Sequence, residues 1–284
     1  MNKKEQNNLA VGKAWELLYQ RLEKDGLLPV QSVSTDSKRP LIHLAFIGKV
    51  AVAAVLVACI FAGWHFLQKP VQSVTTTQVL YNEAHAPTLA TVLEDGSVVF
   101  LSGQTSLLYP NHFEADKREV TLTGDAFFEI KKQPERPFII HTNVAQVEVT
   151  GTSFKIKSNT NASFLLAVRE GEVRVIQNNT SHSLSVNAGE TVFFDAERLQ
   201  LKKSDTGFDD FFKNIHFKDE PLDNVATIIN LHSDTLRIYV DPAIKKQITF
   251  TYGIDSDMAD IVRLICMALD LRYSFLDNVF YILE

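Results

Sequence analysis

The side chains of this chain that could do chemistry are mainly carboxylates and histidines, and their spacing argues against a catalytic or metal centre. The eight histidines form no HxH or HxxxH pair, so we expect no zinc site. Asp255, Asp257 and Asp260 resemble part of a calcium loop, but they lack its glycine and terminal glutamate, and we expect them to cap a helix. Asp209 and Asp210 are adjacent, and adjacent carboxylates cannot easily flank one glycosidic bond.

The sequence also lacks the short motifs that mark common enzymes. It contains no GxSxG nucleophile motif, no phosphate-binding P-loop and no dinucleotide-binding glycine pattern. We therefore predict a protein that is not an enzyme and that has no catalytic residues, no metal site and no cofactor.

An uncharged apolar run is the clearest structural element. The 18 residues from Val50 to Leu67 carry no formal charge, and Lys49 and Lys69 lie on either side. As an α-helix the run would extend about 27 Å, close to the thickness of the hydrocarbon core of a bilayer. A cleaved signal peptide or a buried core helix fits less well, because the run is long, uniform and far from residue 1. We predict a single transmembrane helix at residues 46–67.

The charges on either side orient this helix. Residues 1–49 hold eight of the 28 basic and five of the 34 acidic residues, which leaves the remainder with a net charge of −9. After Lys69 the next basic residue is Lys117, so the positive-inside rule places the N-terminus in the cytoplasm. The acidic remainder should avoid nucleic acid. Of the two cysteines, Cys59 lies in the span, so the outer part can form no internal disulfide.

Beyond the span, the sequence predicts a polar tether at 68–87 and then an all-β domain at 88–205. Alternating apolar and polar residues in VEV (147–149), FKIK (154–157) and EVRV (172–175) are typical of strands, and glycines recur between them. This pattern is compatible with a sandwich, a barrel or a solenoid, and periodicity does not choose among them.

Residues 206–284 predict a small α+β domain built from two strand–helix–strand units. Asp219, Glu220 and Pro221 are typical of a helix start, with an acidic cap and a proline in the first turn. Strand-like segments and a second amphipathic helix follow, and Asp277-Asn278 forms a turn into the last strand. The predicted fold class is therefore mixed, with a transmembrane helix, an all-β solenoid- or sandwich-like domain and an α+β domain.

Several motifs of the outer part resemble those of the FecR family of transmembrane anti-sigma factors, in the form common in the Bacteroidetes. They occur in the order of the family and extend to the C-terminus: LEDGSVVFL (93–101), SLLYPNHF (106–113), Arg118 with VTLTGDAFFEI (120–130), PFII (137–140), VEVTGTSF (147–154), EGEVRV (170–175), AGE (188–190) and FKDEPLDNVATIIN (217–230). The C-terminal part is similar to the short N-terminal domain shared by secretins and TonB-dependent signalling receptors. We expect most motif residues to have structural roles. Asp95-Gly96 makes a turn, and Phe127, Phe128, Phe138 and Phe154 fill the β core.

The resemblance implies a relay across the inner membrane. In this family the cytoplasmic part holds an extracytoplasmic-function sigma factor. The periplasmic part senses the signalling domain of an outer-membrane TonB-dependent transducer, and such systems commonly control uptake of iron chelates or glycans. The rival interpretation is a membrane-anchored envelope assembly or carbohydrate-binding protein that carries the same modules.

Two sets of residues are candidates for the contacts of that relay. In the cytoplasmic segment at 1–45, an amphipathic helix that ends at Gly26 would present its apolar face to the sigma factor, or else lie on the inner membrane surface. In the C-terminal domain, a transducer strand could add to an exposed sheet edge, although each candidate there could equally pack in the core. The candidates are Trp15, Leu18, Tyr19 and Leu22 for the sigma factor, and Ile215, Phe217, Ile248 and Phe250 for the transducer.

Overall fold

The computed structural model describes the chain over residues 3–26, 76–158, 163–178, 182–195, 198–203, 208 and 211–284. The chain divides into two compact units, residues 1–71 and residues 72–284. The transmembrane helix predicted at 46–67 lies outside the described residues. Among the residues that are described, no helix is both long enough and apolar enough to cross a bilayer.

The first unit contains helix α1, Lys3–Lys24. The helix ends where the sequence predicts, because Gly26 adopts the left-handed conformation with φ 65°. The amide of Asp25 donates to the carbonyl of Arg21, which satisfies one of the free carbonyls of the last turn.

The second unit consists mainly of strands, with two helices near its C-terminal end. Its helices are α2 Leu222–Leu231 and α3 Met258–Leu269. Its strands are β1 Thr77–Asn82, β2 Thr88–Val92, β3 Val98–Leu101, β4 Thr105–Pro110, β5 Arg118–Glu129, β6 Phe138–His141, β7 Ala145–Val149, β8 Ser153–Ser158, β9 Phe164–Glu170, β10 Glu172–Gln177, β11 Ser183–Asn187, β12 Glu190–Asp195, β13 Arg198–Lys203, β14 Asn214–Pro221, β15 Arg237–Val240, β16 Gln247–Gly253, β17 Arg272–Leu276 and β18 Val279–Leu283.

Strand β5 belongs to two sheets, because it bends in its middle. Its first half pairs with β4 and β6, and its second half pairs with β3 and β8. Gly124 lies at the bend with φ 111°, and a Cβ atom there would approach the Oγ1 atom of Thr105 to 2.6 Å. Only glycine fits that backbone and that space.

The two sheets pack face to face as a sandwich, so the structure selects one of the three β architectures that the sequence allowed. The first sheet has the order β1-β4-β5-β6-β7-β10-β11, and the second has the order β13-β12-β9-β8-β5-β3-β2-β14-β16. Leu107 and Val147 of the first sheet meet Phe128, Phe154 and Leu166 of the second in one buried cluster, the first core. Phe127, Phe128, Phe138 and Phe154 are fully buried, as the sequence predicts.

The second sheet is buried on its other face as well, which explains why all four residues of β3 are buried. Val98, Phe100 and Phe127 point away from the first core and join residues of α2 and α3 in another cluster, the second core. The first half of β14 pairs in parallel with β2, and β16 pairs antiparallel with β14. The C-terminal part therefore shares a continuous sheet with the β sandwich.

The C-terminal part has the predicted order of two strand–helix–strand units, β14–α2–β15 and β16–α3–β17, followed by β18. The strands β15, β18 and β17 form a small separate sheet in that order. Asp277 and Asn278 join β17 to β18 with φ 51° and 63°, as expected for a two-residue hairpin turn.

One element differs from the sequence expectation. The polar tether predicted at 68–87 includes strand β1, which pairs antiparallel with β4 from Thr77 to Asn82. The alternation of this edge strand is inverted, because Val79 and Tyr81 are exposed whereas polar Asn82 is buried, and Leu80 packs against the first core.

Candidate docking surfaces

Helix α1 presents an exposed apolar stripe. Val11, Trp15, Leu18 and Tyr19 are all exposed, and their spacing of three and four residues places them on one side of the helix, where half-buried Leu22 extends the row. Large apolar side chains that remain exposed along one stripe are typical of a helix that binds a groove in another protein. The predicted sigma-factor candidates therefore occupy one continuous surface.

Two of the motif segments meet at a buried ion pair. The Nη1 atom of Arg118, at the start of β5, lies 2.6 Å from the Oδ2 atom of Asp95, and both side chains are almost completely buried. Asp95 also accepts hydrogen bonds from the backbone amide and the hydroxyl of Ser97, which closes the turn between β2 and β3. This pair joins the turn to β5 and gives both motifs a structural role.

The remaining contacts of Arg118 are with backbone carbonyls and an aromatic ring. Its Nε atom donates to the carbonyl of Arg136 at 2.9 Å, and Nη1 also donates to the carbonyl of Lys131 at 3.1 Å. The guanidinium lies 5.3 Å from the ring centre of Phe138. These contacts offset the cost of removing the charge from water. The Nη2 atom of Arg118 is buried without a hydrogen-bond partner among the described residues, and the other contacts give the side chain a scaffold role.

A buried carboxylate joins the β sandwich to the C-terminal part. Glu220 accepts hydrogen bonds from the hydroxyl of Thr91 at 3.1 Å and from the amide of Val92 at 3.3 Å, both on β2. It also accepts one from the side-chain amide of Asn224 on α2 at 2.7 Å. A bulge at Asp219, with φ 49°, shifts the pairing register of β14 with β16 just before Glu220, whose side chain reaches β2.

This role differs from the helix cap that the sequence predicts for the same residues. Strand β14 continues to Pro221, which is itself the N-cap of α2, and no side chain caps that helix. Burial raises the pKa of Glu220 above its ordinary value, and the three hydrogen bonds offset only part of that effect. No local sequence signal distinguishes this glutamate from a cap, because its partners lie about 130 residues earlier. The aspartate cap on α3 is confirmed, since the carboxylate of Asp257 accepts from the amide of Ala259.

Aromatic rings fill the junction next to Glu220. Phe212 lies 5.2 Å from Phe100, 5.1 Å from Phe127 and 4.8 Å from His232, measured between ring centres. The guanidinium of Arg169 lies over the rings of Phe127 and Phe212. Phe212 and its neighbour Phe211 are therefore packed in the second core. Burial lowers the pKa of His232, which keeps its imidazole neutral among these rings.

The structure places the predicted transducer residues mainly in the interior. Ile215 and Phe217 are completely buried, Ile248 is nearly so, and Phe250 is half-buried against Phe217. Strand β14 lies between β2 and β16, so it has no free edge at Ile215. These side chains stabilise the second core, and strand addition to this sheet stays a prediction for β16 alone, which pairs only with β14 among the described strands.

A second free edge is more apolar. Strand β17 pairs with β18 alone among the described strands, and all five of its residues are exposed. Phe275 and Leu276 are 53% and 61% exposed, and Leu264 and Met267 of α3, the helix just before this strand, are also exposed. Natural edge strands are usually protected by charges or by a covering element. The apolar edge of β17 was not among the predicted contacts.

The surface cavities do not indicate a catalytic site. One, of about 230 Å³, is lined by Tyr109, His112, Lys117, Glu119 and His141 among others, and its charges pair with one another. Another, of about 290 Å³, lies between α2 and α3. No group of three or more metal-ligating side chains occurs among the described residues.

A comparison with protein-family models matches part of the β sandwich. The family model described as FecR protein matches residues 84–174. Two crystal structures of a candidate anti-sigma factor from Parabacteroides distasonis also match the chain. The first is 22% identical and covers 73% of this chain and 99% of that chain, with a TM-score of 0.43. The second is 21% identical and covers 74% and 99%, with a TM-score of 0.44. The comparison with curated proteins finds no match. The match to the FecR model runs from β2 into β10, which confirms the resemblance of the motifs from LEDGSVVFL to EGEVRV, and residues 84–174 of this chain are therefore similar to the FecR domain.

Proposed function

We propose that this protein is a single-pass inner-membrane anti-sigma factor. Its cytoplasmic α1 binds an extracytoplasmic-function sigma factor, and its periplasmic unit receives a signal from the signalling domain of a TonB-dependent transducer. The outcome is control of the transcription of uptake genes, for iron chelates or glycans. The observation that carries the proposal is the match of residues 84–174 to the FecR model.

The surface of α1 supports a protein partner at the cytoplasmic end. From residue 11 to residue 26 every side chain is exposed except half-buried Leu22, so binding would supply the burial that the apolar stripe lacks. Tyrosine and tryptophan are enriched among residues that dominate binding energy, and the stripe contains one of each, Trp15 and Tyr19.

The sigma-factor contact is tested by co-purification of the full chain with the sigma factors of its host. We expect the double substitution Trp15→Ala and Tyr19→Ala to reduce recovery at least about tenfold, since hot-spot truncations typically cost about 2 kcal/mol or more. The matched control is Leu17→Ala, because Leu17 is 68% exposed but lies off the stripe. Equal recovery of sigma factor with both variants would exclude Trp15 and Tyr19 as the contact, whereas no recovery with the unmodified chain would argue for the envelope or carbohydrate-binding alternative.

On the periplasmic side, a transducer strand can add to β16 or to β17, and the chemistry of the two edges differs. The exposed residues of β16 are polar, namely Gln247, Thr249 and Thr251, whereas β17 exposes Tyr273 and Phe275. Strand addition uses main-chain hydrogen bonds for affinity and side chains for specificity. The apolar edge of β17 would bury more apolar surface, so we favour it as the docking edge.

A lysine on each edge distinguishes the two alternatives. Charges on an edge strand oppose pairing with another chain. We expect Phe275→Lys to abolish capture of the transducer signalling domain and Thr251→Lys to leave it within about twofold, a difference below 0.5 kcal/mol. The reverse pattern would assign docking to β16. Thermal unfolding of both variants checks that each remains folded.

A further inference from the structure

The outward face of the first sheet carries a small apolar patch at one end. Val79 and Tyr81 of β1 and Leu108 of β4 are 65%, 53% and 39% exposed. Val79 lies directly opposite Leu108 in the strand register, so the two side chains are neighbours. Leu80 and Leu107 alternate to the other face and pack in or against the first core. We refer to Val79, Tyr81 and Leu108 as the β1–β4 patch.

The same face becomes polar as soon as it leaves these two strands. Leu108 is followed across the register by Thr121, then by His141 and then by Gln146. The far end of the face carries Ser185 on β11. Ile139 and Ile176 also lie on this face but are half-buried, so the large exposed apolar side chains are those of the β1–β4 patch.

The position of β1 along the chain limits where the patch can be. Thr77 follows Lys69, the residue that closes the apolar run, by only eight residues. Eight residues span at most about 28 Å when fully extended. If residues 46–67 cross the membrane, β1 is held within that distance of the lipid headgroups.

We propose that the β1–β4 patch rests on the outer surface of the lipid bilayer that anchors the chain. This inference builds on the transmembrane span of the proposed function. Tyrosine favours the boundary between lipid and water, and valine and leucine gain by leaving water. Strands β1 and β4 contain no charged residue, with the sequences TQVLYN and TSLLYP, so the contact is apolar and suits zwitterionic lipid as well as anionic lipid.

The competing occupant of the patch is a second copy of the chain. Strand β1 pairs only with β4 among the described strands, so two copies could pair along this edge. Pairing of copies requires two chains to meet, whereas contact with the bilayer occurs within one anchored chain. The number of chains per membrane particle therefore separates the two occupants.

The test uses the full chain in lipid nanodiscs that hold one chain each. Cys59 is replaced by alanine, and an environment-sensitive fluorophore is attached through Val79→Cys or, as the control, through Ser185→Cys at the far end of the same face. Cys266 remains in place, since it is buried and burial raises the pKa of its thiol, which makes it a poor target for the label. Nitroxide-bearing lipids report proximity to the bilayer, and aqueous iodide reports exposure to water.

We expect the nitroxide lipids to quench position 79 several-fold more than position 185, equally in phosphatidylcholine discs and in discs that also contain phosphatidylglycerol. Adding Tyr81→Ser and Leu108→Ser should reduce that quenching. Equal quenching of positions 79 and 185 would overturn the inference, and so would protection of position 79 from iodide only in discs that hold two chains. A chain that does not enter discs would overturn the proposed span itself, which flotation with vesicles detects separately.

Discussion

At the scale of single residues, Arg118 and Glu220 show how buried charge is used in this molecule. Arg118 has an ionic partner in Asp95, whereas the carboxylate of Glu220 is held by a hydroxyl, an amide group of the backbone and a side-chain amide. Breaking a buried ion pair leaves an unpaired charge, while neutralising a carboxylate held by neutral donors removes a desolvation cost. The two sites should therefore respond in opposite directions when the charge is lost.

For the ion pair, we expect Arg118→Met to lower the free energy of unfolding of the 72–284 unit by about 3–5 kcal/mol, because Asp95 is left buried without its counter-charge. Urea denaturation measures this change. The control is Arg263→Met in the exposed Arg263–Asp260 pair on α3, which should change stability by about 0.5 kcal/mol or less. A similar loss in both variants would contradict a special role for the buried pair.

For Glu220, we expect the free energy of unfolding to fall as the pH rises. The pKa of Glu220 is raised in the folded state, so the folded state favours the protonated carboxyl group. The contribution of this group to the free energy of unfolding is complete below the ordinary pKa of 4.5 and is lost as the pH rises through the folded-state pKa. We expect Glu220→Gln to remove this decline and to be at least as stable as the unmodified unit at pH 7. Urea unfolding of both proteins at a series of pH values measures this pH dependence.

The alanine variant tests the hydrogen bonds of the same residue. Glu220→Ala should cost about 1–3 kcal/mol at every pH, because it leaves the amide of Val92 and the hydroxyl of Thr91 without their acceptor. If Glu220→Ala were as stable as Glu220→Gln, the hydrogen bonds of Glu220 across the junction would contribute nothing to stability.

At the scale of elements, the segment around Phe212 belongs to the core that the two parts of the 72–284 unit share. The ring of Phe212 contacts Phe100 and Phe127 of the sandwich and His232 of the C-terminal part. We expect Phe212→Ala to cost about 3–5 kcal/mol and to preserve a single unfolding transition, because both parts lose the same core contact. The control Leu276→Ala, on the exposed edge of β17, should change stability by about 0.5 kcal/mol or less. Two separate transitions in the unmodified unit would contradict the shared core.

The elements that the sequence predicts well are those with a strong local pattern. The strands around Val147 and Phe154 alternate clearly, and α3 has both its apolar face and its Asp257 cap. The sequence does not predict that β14 pairs with β2, because their residues are about 130 positions apart and no local pattern encodes a long-range parallel register. For the same reason the side chains of Ile215 and Phe217 look available in the sequence and are buried in the fold.

At the scale of the whole molecule, the proposed topology predicts which side of the membrane each unit occupies. In intact spheroplasts, a membrane-impermeant maleimide should label Ser185→Cys in the second unit and should not label Lys13→Cys on α1 until the cells are lysed. Both variants also carry Cys59→Ala, and Cys266 is protected by its burial. Labelling of position 13 in intact spheroplasts would contradict the proposed orientation.

The parallel pairing of β2 with β14 has a mechanical consequence. A sheet that passes from the FecR-matched domain into the C-terminal part through β2 and β14 couples the movements of the two parts. A pull on the C-terminal part would displace the sandwich with it, and the load would arrive at β1, the first described strand of the unit. Under the proposed relay, the signal that reaches the membrane would be a pulling force and not a conformational change within the unit.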